Sequence, residues 1–190
     1  FNPMDLVQPF SFATIDSEYK PGVDAMRVDG YIGMSSQITG ALVYAGDWES
    51  DGLIAIINGN TTVGWTDISA FYGMVRGDQV LGTGFVSSIG SVGIHADVTY
   101  TMPEQEDPFV RTVLGWMWKP YERATLNGEL YMQTLGAESV DDYFTFASSE
   151  RFARGELWLL GRYYGSLSFS QEVTPLVFAN ISVITNFMDS

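Results

Sequence analysis

The sequence predicts an all-β chain, an antiparallel up-and-down membrane-type β-barrel or a large part of one, with about ten strands in a single domain over residues 1–190. Three observations carry this expectation. Apolar and polar residues alternate with period two through most of the chain after residue 22, as in strands with two unlike faces. The alternating runs are long: a soluble strand commonly takes about five or six residues, whereas one crossing a bilayer at a tilt needs about 9–11. The breaks between runs alternate between short turns and mostly longer, acidic loops, the asymmetry of a membrane barrel with tight turns on one side.

Residues 1–22 contain Pro3, Pro9 and Pro21 and show no sustained period, so they read as a loop with short helical turns near Asp5 and Thr14. Strands are expected at 23–31, 36–45, 53–58, 62–76, 79–88, 92–101, 109–119, 124–134, 154–170 and 175–187. Short turns follow the odd strands at 32–35, 59–60, 89–91, 120–123 and 171–174. The other breaks fall at 46–52, 77–78, 102–108 and 135–153, of which 77–78 is short. In the strand at 92–101, Ile94, Ala96, Val98 and Tyr100 oppose His95, Asp97 and Thr99. In 124–134, Leu126, Leu130 and Met132 oppose Asn127, Glu129 and Gln133. In 109–119, Leu114, Trp116 and Trp118 oppose Arg111, although Val113 and Met117 share the arginine's face. The strands at 53–58 and 79–88 have no clear faces. The final hairpin is the plainest: Leu157, Leu159, Gly161, Tyr163, Gly165, Leu167 and Phe169 stand against Glu156, Trp158, Leu160, Arg162, Tyr164, Ser166 and Ser168. Ile181 and Val183 repeat the pattern on its second arm. Leu159 and Ile181 are therefore expected toward lipid, and Ser166 toward the interior. The break at 135–153 carries Val140, Tyr143, Phe144 and Phe146 among its acids. A short helix is expected around 139–149, covering or entering the mouth, with its acids meeting interior arginines such as Arg162.

Composition bounds the function. Charged residues make up 17% of the chain, against about 25% in typical soluble domains, which is little for covering a water-facing exterior. A net charge of −14 argues against nucleic acid as a partner, since phosphates require a basic face. With no cysteine, neither a disulfide framework nor a thiolate metal site is available. No run of about 18 apolar residues is present for a spanning helix. The chain begins at Phe1 without a signal peptide, so a processed form or a fragment is expected.

Five aromatics near strand ends, Tyr44, Trp65, Tyr100, Trp116 and Trp118, suit membrane-interface girdles. Arg27, His95, Asp97, Arg111, Glu129, Glu156 and Arg162 fall on faces expected to line a lumen, either as selectivity charges or as a closed ion-pair network. His95 and Asp97, with Ser87, Ser88 and Ser91 nearby, admit a hydrolase site, but no nucleophile elbow accompanies them. The acidic sets Glu104, Glu106, Asp107 and Glu138, Asp141, Asp142 lack EF-hand spacing and read as solvated loop charge. Gly82 and Gly84 relieve crowding in a curved strand rather than cradle a nucleotide. No catalytic residue, metal site or cofactor is expected.

The opening segment Phe1-Asn2-Pro3-Met4-Asp5-Leu6, followed by Pro9-Phe10 and by Ile15 to Arg27 (IDSEYKPGVDAMR), resembles a segment of large Gram-negative outer-membrane β-barrel proteins. In that group it reads approximately WNPTDLFNPF…IDRERRPGVDALR. The stretches Val98-Thr99-Tyr100-Thr101 and Ala153-Arg154-Gly155-Glu156-Leu157 are similar to the same group. Phe1 stands where Trp is usual and Phe12 where Pro is usual, and strands that flank this region in the group are absent here. The resemblance implies an outer-membrane, porin-like protein that passes small solutes or serves a structural role, with the lipid bilayer as partner and additional strands or subunits closing the barrel. The alternative is a soluble lipocalin-like barrel binding an apolar ligand, with the same alternation turned inside out.

Overall fold

A computed structural model describes residues 24–44, 52–153, 156–157 and 159–188; the expected loop at 1–22 lies outside them. Within these residues a single antiparallel sheet runs in chain order, each strand paired to its sequence neighbours. The strands are β1 Asp24–Ile32, β2 Ser36–Tyr44, β3 Leu53–Val63, β4 Thr66–Val75, β5 Asp78–Ile89, β6 Val92–Met102, β7 Phe109–Tyr121, β8 Ala124–Gln133, β9 Tyr163–Thr174 and β10 Val177–Asn186. β1 and β10 are not paired to each other, so the up-and-down sheet is open. The ten strands are 9 to 13 residues long.

The turn asymmetry is present. Odd strands turn back at 33–35, 64–65, 90–91, 122–123 and 175–176, while the opposite end carries 45–52, 103–108 and 134–162. The exception at that end is Arg76–Gly77, where both residues have positive φ, 52° and 87°. That conformation makes the two-residue hairpin whose twist matches its strands.

Three expected breaks move. The turn placed at 59–60 lies at 64–65, and β3 continues through Asn58, Gly59 and Asn60, which pair with β4 at Phe71, Ala70 and Ser69. Asparagine and glycine read as a break from composition, yet Asn58, Asn60 and Thr62 are successive side chains on one polar face. The turn itself is made by Gly64, whose φ of 63° lies where other residues are strained. The larger correction concerns β9, expected from residue 154 but beginning at Tyr163. β8 ends at Gln133, and its Met132 pairs with Tyr163, so the antiparallel ladder stops there, and Gly161 makes only an isolated parallel bridge with Ala137. Leu157, Leu159 and Gly161 therefore do not continue the outer face of β9. Leu157 is buried, and Leu159 packs on the opposite side of the sheet against Val113, Tyr131 and Tyr164. At the far end β9 runs on to Thr174, moving that turn to 175–176.

The register assigns every strand residue to one of two faces. One ladder joins Val43 to Ile54, Ile54 to Val75 and Val75 to Asp78. Another joins Gly82 to Thr99, Thr99 to Arg111 and Arg111 to Gln133. These define the inner face, which carries most of the sheet's buried side chains. The ambiguous β3 and β5 resolve here: Ile54, Ile56 and Asn58 point inward, as do Val80, Gly82 and Gly84. Glycines on β5 make room for a neighbour, since a Cβ at Gly82 would lie 2.0 Å from Phe71 Cε1. Gly82→Val is expected to cost about 1–3 kcal/mol through overpacking, measured by urea unfolding. A neutral result would mean that Phe71 has another rotamer open to it.

Candidate functional site

The outer face of the sheet is predominantly apolar. Its exposed residues include Met26, Val28, Leu42, Ile57, Leu81, Leu114, Leu130, Leu167, Ile181 and Val183. Among the described strand residues, the single charge on this face is Asp24, the first residue of β1. Tyr44 and Tyr100 lie on it toward the loop end, Trp116 and Trp118 toward the turn end. Tyr72 and Tyr163 extend the loop-end set; Tyr163 was read on this face, and Tyr72 was missed because it stands beside Phe71, which points the other way. Trp65 lies beyond the sheet, in the turn, and is 87% exposed.

The inner face carries the other strand charges and divides along its length. Its turn half is polar. Arg27 Nε donates to both carboxylate oxygens of Asp29, at 3.0 and 2.9 Å, and Asp29 also accepts from Gln37 Nε2 and Thr39 Oγ1. His95 Nε2 lies 3.6 Å from Glu129 Oε1, reaching over β7 at Gly115, where a Cβ would be 2.1 Å from the imidazole. Asn127 Nδ2 donates to Ser168 Oγ at 3.3 Å. A hollow of about 410 Å³ at this end is lined by Gln37, Asn60, Asp67, Ser69 and Asp97, among others.

The loop half is filled. Val43, Ile54, Phe71, Val75 and Val80 form one buried cluster, and Val113, Tyr131 and Tyr164 a second. Over the second lies the chain between β8 and β9, with Leu159 packed against it. It holds a 3-10 turn at Val140–Asp142 and two short helices, α1 Tyr143–Ala147 and α2 Glu150–Ala153. A helix was expected at 139–149, and the helical region starts there and extends slightly further. Ala137 forms a parallel bridge with Gly161, and a Cβ on Gly136 would meet Gly161 O at 2.3 Å, so glycine permits this close backbone approach. Buried Gln133 donates from Nε2 to the carbonyls of Leu159 and Gly161 and accepts from the Tyr131 hydroxyl.

Arg27, His95, Asp97, Arg111 and Glu129 lie on the inner face of the sheet. Glu156 and Arg162 do not sit on a strand. Arg162 closes the loop on itself, with Nη1 2.8 Å from Glu138 Oε1 and Nε donating to Gly136 O. Arg111 donates to the backbone carbonyl of Glu156 at 3.3 Å and lies over the Phe109 ring, 5.5 Å from its centroid. The residue that sequence reasoning missed is Arg151. It lies 2.8 Å from Asp78, 2.8 Å from Glu106 and 3.0 Å from Glu156, and 5.2 Å from the Phe109 centroid. Burial opposes its charge, yet hydrogen bonds to Asp78 and Glu106 outweigh that and raise its pKa above the usual guanidinium value. The available signal was scarcity: with 9 Lys and Arg against 23 acids, each cation has several carboxylates to gather.

Ser87 is on the outer face, bonded to Thr66 and to Trp65 O, so it is not placed to give its proton to His95. Among the described residues no group of three or more His, Asp or Glu is arranged to hold a metal ion. No family model, curated protein or solved structure matches the chain.

Proposed function

We propose that this chain is the wall of an outer-membrane β-barrel, whose inner face lines a porin-like path for small solutes. The observation that carries the reading is the division of charge between faces. The outer face presents large apolar side chains with one terminal charge, whereas the inner face holds Arg27, Asp29, Asp67, His95, Asp97, Arg111 and Glu129. Lipid accepts the first surface and water the second. A soluble barrel for an apolar ligand requires the reverse, with its apolar side chains inward. Strand length supports the same reading, since 9 to 13 residues meet the about 9–11 needed for a tilted span. The likeness of the opening segment to Gram-negative outer-membrane barrels points the same way. The open edges of β1 and β10 take further strands or subunits in the bilayer, where an unpaired backbone group costs several kcal/mol.

Reconstitution into planar bilayers tests the reading. Stepwise single-channel conductance is expected from protein that folds in lipid vesicles and aggregates without detergent. A monodisperse, detergent-free monomer would overturn the membrane assignment. Folding in lipid without conductance would leave a structural barrel.

A further inference from the structure

We infer that the helical strap Val140–Phe152 is a releasable cover on the loop end of the interior, latched by Arg151, whereas the segment around Leu159 is a permanent part of the wall. This deepens the channel reading and rests on it only for the consequence to flow.

The two parts of the loop are held by different chemistry. Around Leu159 the anchors are buried: Leu157 is 3% exposed, Leu159 packs on Val113, Tyr131 and Tyr164, and Gln133 bonds two carbonyls from beneath. Moving this segment would expose apolar surface and orphan buried polar groups. The strap has little of that. Val140 and Phe144 are exposed, neither α1 nor the 3-10 turn buries a residue, and Phe152 is partly exposed. α1 is tied at its start by the Tyr143 hydroxyl, which accepts from Asn186 Nδ2 at 2.5 Å.

At the other end of the strap stands Arg151. It joins α2 to Asp78, the first residue of β5, and to Glu106 in the β6–β7 loop. β5 lies three strands from β8, about 14 Å along the sheet at ~4.8 Å per strand, so one side chain fastens the strap across the mouth. Its site is set against its absence. Asp78, Glu106 and Glu156 converge on it, and among the described residues the neighbouring cations are Arg76, 3.9 Å from Glu156, and Arg111, which donates to the Glu156 carbonyl. Without the guanidinium the strap loses its ties to Asp78, Glu106 and Glu156, and those three carboxylates are left to repel one another. The planar fork is also needed: a lysine ammonium cannot present the same fixed set of donors to acids on different sides.

Arg151→Met and Arg151→Lys in the full chain, folded in lipid vesicles, test the latch by hydrogen exchange. The strap amides of Ser148 and Ser149, bonded to Phe144 and Phe146 carbonyls, are expected to exchange about tenfold faster in the Met variant. The Lys variant is expected to fall between Met and wild type. The amides of Ala137 and Gly161, which bond Leu160 O and the Tyr164 hydroxyl, are expected to keep their wild-type rates. Unchanged strap exchange, or equal acceleration at both sets, would overturn the latch. In planar bilayers the Met variant is expected to conduct at least about twofold more than wild type. Equal conductance despite a freed strap would overturn its role as a cover. Absence of current in wild type and variant alike would overturn the channel reading, with exchange still deciding the latch.

Discussion

Leu130→Arg is expected to cost about 2–4 kcal/mol of folding stability in a bilayer, the penalty for an arginine near the midplane of a barrel's lipid face. Leu130 is 56% exposed on the outer face of β8, directly opposite Leu114 on β7 and Gly165 on β9. None of these offers the guanidinium a partner. Ser166→Arg, on the inner face and paired across strands with Glu129, is expected to be neutral within about 0.5 kcal/mol, because a carboxylate stands opposite it. Urea titrations of both variants in lipid vesicles measure the difference. Equal costs would sink the assignment of lipid and water to the two faces.

Gln133→Leu is expected to destabilise the protein by about 3 kcal/mol or more, with nearly unchanged side-chain volume. The glutamine is 1% exposed and serves three groups: the Tyr131 hydroxyl and the carbonyls of Leu159 and Gly161. Each of the two buried carbonyls left without a partner costs about 1–3 kcal/mol. The damage should concentrate where the loop meets the sheet, so the Ala137 amide, bonded to Leu160 O, should exchange faster than amides of β3 and β4. A cost under about 1 kcal/mol would mean that water reaches these carbonyls, and the segment around Leu159 would then not be a fixed part of the wall.

Leu159 shows why part of this arrangement was not legible. Its alternation with Leu157 and Gly161 continues the pattern of Tyr163, Leu167 and Phe169 without interruption, so period two extends the strand back to residue 154. What stops the strand is the end of its neighbour, Gln133, and no local pattern in 154–162 carries that information. The same holds for Asn58-Gly59-Asn60. Their composition reads as a turn, but pairing with β4 carries the strand past them, and a positive φ at Gly64 makes the turn instead. Arg151 was invisible for a further reason: its partners Asp78 and Glu106 are 73 and 45 residues away.

The sequence by itself determined the all-β class, the up-and-down order, the alternation of short turns with longer loops, and the faces of Ile94, His95, Asp97, Leu126 and Glu129. These follow from period two and from turn residues, both properties of neighbours along the chain, and a one-residue slip would reverse every face. The tertiary structure alone decided that the inner face is polar in its turn half and packed in its loop half, that Leu157 and Leu159 turn inward, and that Arg151 gathers acids from β5, the β6–β7 loop and its own loop. Those outcomes depend on which strands run out of partners and which distant charges then meet, and burial couples them across the sheet rather than along the chain.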